Sequence, residues 1–164
     1  MATASDRYWD LVREQLAEER ARKNSIEQRG IAVITSSGTL VTLLFGLTAL
    51  ATKAQNYQLP PIAAFALAVA AVLFVLAALV GIAVNWAYYY IEVEPDGLRG
   101  LLDENWAGDE AEAAKVVATA WTDIIENARI NNARKGKLLR AAMLLEASAL
   151  SALIGAVAVV LGIL

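Results

Sequence analysis

The 164-residue chain has no cysteine and no histidine, and only three prolines. Without cysteine there is no disulfide framework and no thiol nucleophile. Without cysteine or histidine the common zinc donor sets and the imidazole general base are both excluded. The prolines, Pro60, Pro61 and Pro95, leave long stretches free of a helix breaker. Charge is also scarce and unevenly placed. Ile31–Ala51, Pro61–Val84 and Ala147–Leu164 contain no Asp, Glu, Lys or Arg.

Those three runs dominate what is there. They hold 21, 24 and 18 residues, and about 20 apolar residues of helix cross a bilayer core of roughly 30 Å. The third run lengthens through Ala141–Leu145, which admits Glu146. Hydrophobic residues make up 58% of the chain, above the roughly 45–50% of soluble domains. A soluble domain of this size cannot hide three helices that are apolar on every side. The expectation is an all-α integral membrane protein with three transmembrane helices and amphipathic cytoplasmic helices, assembled as a symmetric homo-oligomer. Its segments are a cytoplasmic N-terminal helix (1–30), a transmembrane hairpin (31–84), a cytoplasmic helical segment (85–140) and a third transmembrane helix (141–164). The first run follows 30 residues of mixed charge, so it reads as a permanent anchor and not a signal peptide. Ala2 and a C-terminus without cysteine give no lipidation signal.

Basic residues set the expected orientation. Residues 1–30 carry six, 52–60 carry one (Lys53) and 85–146 carry seven. Lys and Arg near span ends stay in the cytoplasm. The N-terminus is therefore expected inside and the C-terminus outside, in a bacterial inner membrane.

Along the chain, residues 5–28 read as one charged helix, with Ser5 or Asp6 as its cap and Tyr8, Leu11, Val12 and Leu16 as an apolar stripe. The first span carries Thr35, Thr39, Thr42 and Gly46 at i, i+4, i+7 and i+11, broadened by Ser36, Ser37 and Gly38. Two uses fit this face: close helix packing or the wet lining of a pore. Pro61 suits the first turn of the second span, where Ala63, Ala66, Ala70, Ala77 and Gly81 make a small-residue stripe. Trp86, Tyr88, Tyr89 and Tyr90 read as an interfacial aromatic belt. They have no basic interleaving, so nucleic acid is not an expected partner.

The acidic stretch from Glu92 to Glu112 matches no EF-hand spacing. It reads as a solvated face, and no metal, cofactor or catalytic residue is assigned. A long helix is expected from about Asp109 through Gly136 into the third span, with Ala113, Val117, Trp121, Ile124 and Ala128 on one apolar stripe. Arg129, Arg134, Lys135, Lys137 and Arg140 follow without an acid among them. They suit anionic lipid headgroups or an anionic nucleotide. Glu146 leads a face of Ser148, Ser151 and Gly155. Either it pairs near the interface with Arg140, with Lys137 or with a neighbouring helix, or it forms a ring of carboxylates at a pore mouth.

The lead RYWDLVREQLAEERARKNSIEQRG, the first span beginning IAVITSSGTLVTLL and the helical stretch after the second span resemble the SLATT group of small bacterial membrane proteins. The likeness is one of layout and covers about residues 1–140; the third span has no counterpart in it. The resemblance implies a pore-forming defence or stress effector acting beside a cytoplasmic protein or nucleotide-signal partner. The residues point on their own to an oligomeric pore or ion channel, or to a non-conducting membrane adaptor that recruits a cytoplasmic partner. With no nucleophile–base pair or cofactor loop, an enzyme is not expected.

Overall fold

The computed structural model describes residues 4–53, 59–86, 100 and 109–162. Among the described residues there are three helices and no strand: α1 (Ala4–Lys53), α2 (Pro61–Val84) and α3 (Glu110–Val160). All three are long and apolar enough to cross a membrane. No more than 28% of the residues in each helix's apolar window are buried. Apolar surface left open on that scale belongs against lipid, not water.

The helix ends follow local chemistry. Pro60 caps α2 and Pro61 opens it, and the Ala64 amide donates to the Pro60 carbonyl at 3.0 Å. Proline's fixed φ and missing N–H cost nothing at that position. At the far end, Asn85 Nδ2 donates to the Gly81 carbonyl at 3.1 Å, which satisfies one of the helix's last acceptors. Asp109 caps α3: its Oδ1 accepts from the Ala111 amide at 3.2 Å. Gly162, at φ +68°, closes the final turn in the left-handed region that glycine adopts without penalty.

The N-terminal expectation needs correction. Ser5 and Asp6 lie inside α1 and do not cap it, because the helix already includes Ala4. Asp6 instead sits in the first turn, where a carboxylate favours the positive end of the helix dipole. The lead helix and first span, read as separate segments, are one 50-residue helix. Likewise α3 continues without interruption through Gly136. Tyr88–Tyr90, the Pro95-Asp96-Gly97 turn and the acidic residues before Asp109 lie outside the described residues.

The chain divides into two compact units, one of 1–25 with 87–134 and one of 26–86 with 135–164. In the second unit, the close approaches of Gly30 to Val84 and Asn85, and of Gly81 to Ile34, show α1 antiparallel to α2. Contacts of Glu27 with Lys135 and of Ser36 with Glu146 advance together, so α1 and α3 run parallel. The inward residues alternate steps of three and four on each helix. On α1 they are Ile26, Gly30, Val33, Ser37, Leu40 and Leu44. On α2 they are Ala63, Leu67, Ala70, Phe74, Ala77, Gly81 and Val84. On α3 they are Lys135, Leu139, Ala142, Glu146, Ala149, Leu153 and Ala156. All are buried or half-buried. This is the seven-residue repeat of helices that coil around one another.

Two apolar layers fill the seam. One gathers Val33, Ala77, Val84, Leu139 and Ala142, the other Leu44, Ala70, Phe74 and Ala149. Lipid is as apolar as leucine, so close van der Waals contact is what holds such helices together. Alanine and glycine at alternate positions supply that closeness.

The first unit, taken by itself, repeats the pattern with two parallel helices. Trp9, Val12, Leu16, Glu19 and Lys23 face inward from α1, and Ala114, Ala118, Trp121, Ile125, Ala128 and Asn132 from α3. The rings of Trp9 and Trp121 stack at 4.6 Å.

The tightest helix crossing gives a test of the packing. A Cβ at Gly81 would lie 2.9 Å from Ile34 Cγ1 and 3.2 Å from the Gly30 carbonyl. Gly81→Val is expected to lower stability in detergent unfolding by about 1–3 kcal/mol. At Gly136 a Cβ meets nothing within 4 Å, so Gly136→Ala is expected to raise stability by about 0.5–1 kcal/mol.

Candidate functional site

The seam is apolar except at a few levels, and those polar levels fix how α1 and α3 align. In the first unit Glu19 is buried on α1. Its carboxylate accepts from Asn132 Nδ2 at 2.9 Å and from Arg129 Nε at 3.2 Å. Asn132 Nδ2 also reaches the Glu19 carbonyl at 3.1 Å, and Arg129 Nη2 donates to Gln15 Oε1 at 2.5 Å. Both acceptors beside Asn132 demand its NH₂ group, which fixes the amide's orientation.

In the second unit Lys135 is 1% exposed and donates from Nζ to Glu27 Oε1 at 2.5 Å. About three turns further, the Ser36 hydroxyl meets Glu146 Oε1. The same hydroxyl lies 2.9 Å from the Ala32 carbonyl and 3.2 Å from that of Val33. Glu146 thus turns toward α1. Of the partners expected from sequence it meets the neighbouring helix, and among the described residues it forms no ion pair with Arg140 or Lys137.

The basic run divides by position. Lys135 is committed to Glu27 inside the seam, and Arg129 to Glu19 and Gln15. Arg134, Lys137 and Arg140 are exposed. Trp86, at the end of α2, is also exposed.

On α1 the side opposite the seam carries the hydroxyls. Successive helix residues turn by about 100°, which places Thr35, Thr39, Thr42 and Gly46 roughly half a turn away from Val33, Ser37, Leu40 and Leu44. All four are exposed. The Thr35 hydroxyl donates to the Ile31 carbonyl at 3.0 Å, Thr39 to Thr35 at 2.9 Å and Thr42 to Gly38 at 2.9 Å. Among the described residues none of the four takes part in helix packing.

Apart from Glu146, which lies in the seam, the α3 pore candidates also point away from it. Ser148 and Ser151 are exposed, Ser151 donates to the Ala147 carbonyl at 2.9 Å, and Gly155 is half-buried. Exposed Leu144 and Ile154 interrupt that face, so α1 carries the longer polar stripe.

The α1–α3 polar partners were not paired from the sequence. Glu19 and Asn132, Glu27 and Lys135, and Ser36 and Glu146 are separated by 113, 108 and 110 residues. Within the second unit the near-equal offsets of 108 and 110 are what parallel helices in one register produce. A seven-residue reading of both helices would have found it.

Removing Glu27 would take away the carboxylate that the buried Lys135 ammonium donates to. Glu27→Ala is expected to cost about 3 kcal/mol in detergent unfolding, whereas the double change Glu27→Met with Lys135→Leu is expected to recover most of that loss. Comparison of the chain with known families, characterised proteins and solved structures finds no match.

Proposed function

We propose that the protein is an oligomeric membrane pore or ion channel whose water path is lined by the hydroxyl face of α1. One observation carries this reading. Thr35, Thr39 and Thr42, with Gly46 one turn beyond, form a hydroxyl stripe inside an apolar span, on the side that does no packing among the described residues. Lipid has no use for such a stripe, and polar groups inside spans commonly face water or protein. Three helices are too few to enclose a water path, so a closed ring of identical chains supplies the wall. The outward apolar residues of α2 and α3, such as Phe65, Leu79, Leu144 and Ile154, then face lipid or the neighbouring copy.

The excess of basic residues in 1–30 and 85–146 over 52–60 supports a cytoplasmic N-terminus and an outer C-terminus. Arg134, Lys137 and Arg140 meet anionic headgroups on the cytoplasmic side in this topology. The resemblance in layout to SLATT proteins supports a role as a bacterial effector that permeabilises the inner membrane. The reading is non-enzymatic, since the chain has neither cysteine nor histidine and shows no nucleophile–base pair in its sequence.

A second reading, a non-conducting adaptor, draws support from a different observation. Tyr8, Leu11, Val116 and Ile130 of the first unit are exposed. Side chains of that kind suit recruitment of a cytoplasmic protein.

Ion flux through purified protein in liposomes separates the two. The pore reading expects flux from wild type, and at least about a tenfold loss in Thr39→Leu, which replaces a wet hydroxyl by a branched hydrocarbon at the narrow path. A strictly monomeric mass in detergent with no flux under any condition would leave only the adaptor.

A further inference from the structure

We infer that the path lined by α1 selects cations over anions; this rests on the pore reading above. The reason lies in where the threonine protons point. A hydroxyl has one proton and two lone pairs. In Thr35, Thr39 and Thr42 the proton is given to a carbonyl one turn earlier, at 2.9–3.0 Å. Each hydroxyl therefore offers oxygen lone pairs outward and no donor.

The backbone cannot supply donors either. Within α1 every interior amide is spent on the helix's own ladder. The stripe is consequently a column of acceptors spaced one turn apart, ending at Gly46, where no side chain narrows the path. Rotating a threonine to present its proton would break the bond to the carbonyl behind it. A passing anion gains no donor without that loss, whereas a passing cation is met by oxygen at every turn.

Charge within the span does not oppose this. Between Gly30 and Ala51, α1 carries no Lys or Arg. The third span adds no base after Arg140, and its one ionisable residue is Glu146, an acid, held on the α1 side by Ser36. Rings of oxygen acceptors replace a cation's hydration shell, whereas anion pores are lined with Lys and Arg. Repeated around a symmetry axis, each threonine becomes one such ring. The hydroxyl dipoles carry no full charge, so the geometry favours monovalent cations as the permeant class.

Reversal potentials measured across planar bilayers under a potassium chloride gradient test the inference. Wild type is expected to favour potassium over chloride by at least about tenfold. Thr39→Lys, which sets an ammonium on the stripe, is expected to lower that ratio or reverse it, while Thr39→Ser, which keeps the acceptor column, preserves it. A current carried by chloride in wild type would overturn the inference and leave the pore standing. So would a conducting Thr39→Lys protein with unchanged selectivity, because the path would then lie elsewhere. No current from any preparation overturns both readings together.

Discussion

Helices in hydrocarbon have no water to drive them together, so their association depends on fit and on the few polar groups they exchange. In this chain both needs are met by one seven-residue repeat. Alanine and glycine bring the backbones close, as where Gly30 and Gly81 let α1 and α2 cross. Polar pairs then fix the axial position of α1 against α3. Glu27 with Lys135 and Ser36 with Glu146 each match only in the register observed. A shift by one residue would turn Lys135 out of the seam and away from Glu27. Because a buried charge without a partner is so costly, such pairs do more to choose an arrangement than to stabilise it.

The repeat also decides what is left outside. Once Val33, Ser37, Leu40 and Leu44 are turned inward, helical geometry leaves Thr35, Thr39 and Thr42 on the opposite side. A packed seam and an outward polar stripe are thus two consequences of one helix's rotation. In the proposed pore the rotation matters twice, since it supplies the lining and keeps the hydroxyl face away from α2 and α3. The Ser36–Glu146 contact sits between these faces and ties α1 to α3 at that level.

Much of the fold was legible in the sequence because length and the absence of charge in the spans are averaged properties. The three apolar runs, the proline start of α2 and the long helix after Asp109 could all be read directly. Rotation was harder to read. Phe74 and Leu76 are both strongly apolar, yet Phe74 is fully buried and Leu76 exposed. The sequence places a segment boundary at residue 30 because the charge-free run begins at Ile31, yet α1 crosses it unbroken. Here the position accepts glycine's poor helix propensity in exchange for contact with Val84 and Asn85. The pairs joining α1 to α3 escaped for another reason: their members lie about 110 residues apart, and no local pattern links them. The spacing of the threonine stripe was visible, but its direction depends on which face packs, and that is a tertiary fact.

The rotation of α1 is therefore the point on which the account stands. Single cysteines placed in turn from Val33 to Gly46, in a chain that has none of its own, can be probed in membranes with a water-soluble thiol reagent. The account predicts modification at positions 35, 39, 42 and 46, with protection at 33, 37, 40 and 44. Uniform protection, or modification concentrated at the second set, would contradict it.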